Sequence, residues 1–220
     1  MKRLALCTAL LVFIACREQP GSTLAIHAAE GKAEVVRQMI GAGADPNGTD
    51  ESGWSPLVWS ARQGALESAL ALIEGGADVD LEDHRNGWTP LLHSIHKGHP
   101  GMVALLLDNG ADPNRPSRDS GMTPLVMAAG YGQDDIVTLL LEGGADPHQS
   151  ATSGWTPLDA AVFGAADIDR FTIGHCQDDA VRAIVERAPE ARITNRIAVI
   201  PARAAGCDEV LDLVRSRLRG

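Results

Sequence analysis

GWTPLLHSIHKGHPGMVALLLDNGADPN, residues 87–114, spells two short helices and a turn. Thr89 is suited to cap a helix, because its hydroxyl can accept from a first-turn amide, and Pro90 follows where a missing N–H costs nothing. Leu91, Leu92 and Ile95 fall at helical spacing, and Gly98 ends the run. Pro100 opens a second helix in which Met102, Val103, Leu105, Leu106 and Leu107 leave little polar surface, and Gly110 suits the left-handed position that ends it. Helices this short cannot hide their apolar faces alone, so they need neighbours of the same kind.

The neighbours are present. Thr-Pro-Leu or a near variant recurs at Thr23-Leu24, Ser55-Pro56-Leu57, Thr123-Pro124-Leu125 and Thr156-Pro157-Leu158, and Gly-Ala-Asp closes four units at Asp45, Asp78, Asp112 and Asp146. Leu24, Leu57, Leu91, Leu125 and Leu158 keep a period of about 33 residues. The aspartates read as turn formers that accept backbone hydrogen bonds.

This pattern resembles the ankyrin repeat family over roughly residues 22 to 218. The resemblance implies an all-α solenoid of paired antiparallel helices with β-hairpin or loop fingers. Units start near residues 22, 53, 87, 121 and 154, and a degenerate cap covers 195–218. The family's usual histidine after Thr-Pro-Leu is replaced by Val58, Leu92, Val126 and Asp159, so its hydrogen bonding must be replaced by packing or lost.

Residues 1–15 have a charged start at Lys2 and Arg3 and an apolar run from Leu4 to Ala15, too short to span a bilayer as a permanent helix. They read as an export signal. Phe13-Ile14-Ala15-Cys16 resembles the bacterial lipoprotein processing box, with Phe13 where that box more often has Leu, and implies acylation of Cys16. An ordinary secretory cut nearby is the other reading. Arg17 beside the cysteine resembles lipoproteins sent to the outer rather than the inner membrane, which implies a periplasmic, lipid-anchored protein. Residues 16–21 are then a tether. The net charge of −10 becomes about −12 once Lys2 and Arg3 are removed, which repels nucleic acid and steers in a basic protein at low salt.

The position before each capping residue holds Trp54, Trp88, Met122 and Trp155, so three of the four tryptophans share one column. In the family this site lies at the base of a finger, facing the concave surface. Arg62, His96, Tyr131 and Phe163, just before the inter-helix glycines, point the same way, and Trp59 and His93 lie one turn earlier. Trp is the commonest interface anchor, so these residues are candidate partner contacts. Equally, each indole can pack on the adjacent finger.

After Phe163 the register breaks. Residues 166–176 are an insertion between the helices of the fifth unit, and Gln177-Asp178-Asp179 resumes the pattern. Cys176 and Cys207 both fall at the start of a second helix in adjacent units. Two leftover thiols in an oxidising compartment are expected to pair. Helix spacing puts their α-carbons about 10 Å apart, beyond the roughly 7 Å a bridge tolerates, so pairing requires the insertion to bend inward. His175 with the two cysteines lacks a fourth metal ligand. The triad His93, His96 and His99 can place two rings on one helix face, but His99 sits at the family's structural Gly-His position. Neither a phosphate cradle nor a nucleophile–base constellation recurs, so no metal, cofactor or catalytic residue is assigned. The expected work is that of a monomeric adaptor for an envelope protein. Alternatives are an inhibitor or immunity protein for an exported toxin or hydrolase, and a metal- or small-ligand-binding protein.

Overall fold

The computed structural model describes residues 20–164, 178–194 and 207–215. Eleven helices lie in these residues. They are α1 (Pro20–Ala29), α2 (Ala33–Gly41), α3 (Pro56–Gln63), α4 (Leu66–Glu74), α5 (Pro90–Lys97) and α6 (Pro100–Asp108), then α7 (Pro124–Gly130), α8 (Asp134–Glu142), α9 (Pro157–Phe163), α10 (Asp178–Arg187) and α11 (Asp208–Arg215). None is long and apolar enough to cross a membrane.

The first helices start as their sequence dictates. Ser55, Thr89 and Thr123 accept from the amides of Val58, Leu92 and Val126 at 3.2, 3.3 and 3.2 Å, each with proline at the next position. Thr156 adds a reciprocal bond with Asp159, whose carboxylate accepts from the Thr156 amide at 3.1 Å. Second helices stop at Gly43, Gly76, Gly110 and Gly144, all with φ between 88° and 94°, which a side chain would resist.

Two layers follow. Helices α1, α3, α5, α7 and α9 pack in sequence on one side, and α2, α4, α6, α8 and α10 on the other. The five leucines that set the repeat period are at most 1% exposed. Burying a leucine contributes roughly 1.5–3 kcal/mol, so the period is also the core. Val58, Leu92 and Val126, in the column where the family has histidine, are likewise buried. Packing therefore replaces the hydrogen bond at three units. At the fourth, Asp159 replaces it with a bond, accepting from the amide and hydroxyl of Thr194 at 2.9 and 2.5 Å.

Two expectations change. No strand forms among the described residues; the fingers are turns, each with one backbone bond across its base, such as the Asp83 amide to the Trp88 carbonyl (2.8 Å) and the Ser117 amide to the Met122 carbonyl (2.9 Å). Neighbouring fingers are tied through glycines: the Arg118 amide donates to the Gly87 carbonyl at 3.2 Å, and a Cβ on Gly87 would run into the Arg118 backbone nitrogen at 2.9 Å. Helix α1 also begins at Pro20, so the last two residues of the expected tether are helical. Met1 to Gln19, the insertion and the first helix of the sixth unit lie outside the described residues.

Candidate functional site

Rings stack along the groove side of the inner helices. Trp59 meets Trp54 at 4.8 Å between centroids, Trp54 meets His93 at 5.3 Å, His93 meets Trp88 at 5.3 Å and Trp88 meets His96 at 5.2 Å. His96 continues to Tyr131 at 5.9 Å, where the hydroxyl and Nδ1 are 3.2 Å apart. Six rings from three units thus form one ladder, each contact joining two units or two positions of one unit. The Arg62 guanidinium covers the Trp54 ring at 4.7 Å, a cation–π contact, and Trp59 Nε1 donates to Asp50 at 2.7 Å. Both tryptophans of the second unit, Trp88, His96 and Tyr131 are half-buried, with one side packed and the other open. Ile26 extends the groove at its amino-terminal end: it occupies the register position of Trp59 and is 56% exposed.

His93 is the buried ring of the ladder. It was placed among the partner contacts by its position in the register, and this is corrected by its 1% exposure. Its Nε2 is 2.6 Å from a carboxylate oxygen of Asp83, itself fully buried, and its Nδ1 is 3.2 Å from an Arg62 nitrogen. Arginine can only donate, so Nδ1 accepts and Nε2 carries the hydrogen donated to Asp83. The imidazole is therefore neutral. Burial holds its pKa below the ordinary value; the bond to Asp83 pulls the other way, and Arg62 and Lys97 add to the lowering. For Asp83 burial pushes the carboxyl up, but hydrogen bonds from His93 and the amides of Asn86 and Arg85 outweigh it and bring the pKa to about 2. An Asp–His pair facing a nucleophile is the chemistry of a general base. Here it faces a guanidinium, with both ring nitrogens committed, so it fixes the finger of the third unit to the ladder.

The other histidines do not converge with it. His99 Nε2 reaches the carbonyl of Arg62 at 3.1 Å and its ring packs beside Gly64, which joins the third unit to the second as expected of that position. Among the described residues no group of three or more metal-ligating side chains is placed to hold an ion.

Past Tyr131 the ladder breaks at Met122 and resumes as a separate pair, Trp155 with Phe163, edge to face at 4.8 Å. Between the two parts lies a cavity of about 350 Å³ walled by Trp88, Met122, Met127, Tyr131, Trp155 and Phe163. The structure thus brings Trp54, Trp59, Arg62, Trp88, His96, Met122, Tyr131, Trp155 and Phe163 to one groove and withdraws His93 from it. Asp50, Asp83, Met127 and Ile26 were not singled out in the sequence. Ile26 and Met127 share the register of Trp59, and Asp50 and Asp83 stand 33 residues apart at one finger position, so all four could have been found by reading those columns down the units. Cys207 is 3% exposed at the start of α11, while Cys16 and Cys176 lie outside the described residues.

A family model described as ankyrin repeats (3 copies) matches residues 3–83, 23–117, 72–151 and 116–195. The neurogenic locus notch homolog protein 1 of Danio rerio is 37% identical over 51 residues, 23% of this chain and 2% of that protein. The ankyrin repeat-containing protein P1E11.10 of Schizosaccharomyces pombe is 35% identical over 58 residues, 26% of this chain and 28% of that one. These matches span only a small part of either relative.

Proposed function

This chain belongs to the ankyrin repeat family, and we propose that it is a non-enzymatic binding module whose protein partner seats on the aromatic groove and the finger tips. One observation carries the proposal: the half-buried ladder from Trp59 to Tyr131, in which large rings are stiffened on one side and open on the other. Rigid aromatic groups lose little conformational freedom on binding and dominate interface energetics. The packing of each indole on its neighbours and its availability to a partner are compatible, because they use different faces. A net charge of −10 favours a basic partner.

The setting belongs to the same proposal. The apolar run from Leu4 to Ala15 and the box ending at Cys16 support export and acylation, Arg17 supports the outer-membrane leaflet facing the periplasm, and that compartment would oxidise Cys176 and Cys207 to a disulfide. The protein then acts as a monomeric adaptor held to the membrane by lipid alone. An inhibitor or immunity role would use the same groove against one tightly bound toxin or hydrolase.

Affinity capture from envelope membranes, with the Trp54→Ala, Trp88→Ala, Trp155→Ala triple variant as control, tests the reading. A protein that co-purifies with the parent and is lost from a variant of unchanged helix content is the expected result. Retention of every captured protein by the folded triple variant overturns it.

A further inference from the structure

Set in register, each first helix and the residue before its cap offer three positions to the ladder. The second unit fills them with Trp54, Trp59 and Arg62, and the third with Trp88, His93 and His96; these groups stack on one another without a gap. The fourth unit has Met122, Met127 and Gly130 instead, and the fifth has only a methyl group, Ala160, at the middle position. Where the earlier units hold a ring or a guanidinium, the fourth unit holds nothing at Gly130. The cavity of about 350 Å³ stands at that place, with Gly130 and Ala160 in its wall and Trp88 and Trp155 on either side.

We infer that this cavity receives one uncharged aromatic side chain of the protein partner, in the place where the fourth unit has no side chain at Gly130. The inference rests on the groove reading above and names its anchor. Its volume falls within the roughly 300–1,000 Å³ of pockets that enclose small organic groups. Charge decides the class of occupant. Among the described residues the lining contains no Asp, Glu, Lys, Arg or His, so an ionised group would lose its water with no counter-charge from them to meet it. A neutral ring meets thioethers and aromatic edges. Ser120 and Ser153 stand at the rim on two successive fingers, where a phenol or indole handle can reach a hydroxyl while its ring stays in the cavity.

The test uses the full chain and three probes at millimolar concentration, N-acetyl-tyrosinamide, N-acetyl-leucinamide and N-acetyl-argininamide, followed through the indole N–H signals by NMR. N-acetyl-tyrosinamide should shift Trp88 and Trp155 and leave Trp59 unmoved, and the arginine probe should shift neither. Gly130→His places in the cavity the ring that His96 provides one unit earlier, on a residue that is already helical. Ala160→His does the same by analogy with His93. Each, checked for native helix content, should weaken N-acetyl-tyrosinamide binding by about tenfold or more. Unchanged binding in both filled variants, a preference for the arginine probe, or concentration-dependent dimerisation that the filled variants abolish overturns the assignment. A captured partner that survives Gly130→His and Ala160→His but is lost from the triple tryptophan variant sinks the ring pocket and leaves the groove reading standing. If it survives the triple variant as well, the groove reading itself fails.

Discussion

At the scale of single residues, the buried Asp83–His93–Arg62 chain makes the third unit acid-sensitive. His93 has a folded-state pKa lowered by burial, so as pH falls below about 6.5 the unfolded chain takes up that proton first and stability drops. Asp83 is held near pH 2 against an ordinary 3.8, so its contribution, about 2 kcal/mol, is complete above pH 3.8 and is lost on the way to pH 2. Urea midpoints for the parent should therefore fall between pH 7 and 5 and again below pH 4. In His93→Gln the amide can still donate to Asp83 and accept from Arg62 but cannot titrate. The first fall should flatten in this variant, and a difference from the parent that does not change with pH would assign the loss to other groups.

At the scale of the element, a column of side chains adds to the bonds that tie neighbouring turns together. Asn47 donates to the Gly76 carbonyl at 3.1 Å and accepts from the Asp78 amide at 2.8 Å. Asn114 repeats both bonds with Gly144 and Asp146, at 3.0 and 2.6 Å. Asp80 stands between them in the same column and can only accept, from the Asp112 amide at 3.2 Å. Burial raises its pKa; the Asp112 amide and Arg115 act against that, while the Asp112 and Asp78 carboxylates add to it. Asp80→Asn restores the missing donor toward the carbonyl of Gly110 and removes a crowded charge. It should stabilise the chain by about 0.5–1 kcal/mol and raise the melting temperature by roughly 2–4 °C. A lower melting temperature in the variant would show that the interaction with Arg115 outweighs the new bond.

At the scale of the whole molecule, a stack of units is as cohesive as its weakest junction, because each unit touches only its neighbours. Asp159 pins one such junction: it is fully buried, closes the cap of α9 and holds Thr194, just before the last unit, across 35 residues. Asp159→Ala strands the amide and hydroxyl donors it serves and should cost about 2–3 kcal/mol. The loss should be local. Amide exchange in α10 should accelerate while the amides of α3 and α5 keep their protection, and uniform acceleration along the chain would mean that the units unfold as one.

Read without the structure, the chain already contains its helix starts, its helix stops, its turn aspartates and its core leucines. Ser55, Thr89, Thr123 and Thr156 act on amides three residues away, and Asp45, Asp78, Asp112 and Asp146 each accept from an amide two residues on, so these features are local and a repeat displays them several times over. The tryptophan column was equally plain, and so was the groove it lines. Only the tertiary structure decided what those rings do. It placed His93 between two indoles from different units, joined it to an aspartate in a finger and an arginine 31 residues away, and left a cavity where Met122 and Gly130 meet Trp88 and Trp155. Burial and cavities are properties of several units at once. No single unit encodes them, because the groups that create or fill a space arrive from stretches a full repeat apart.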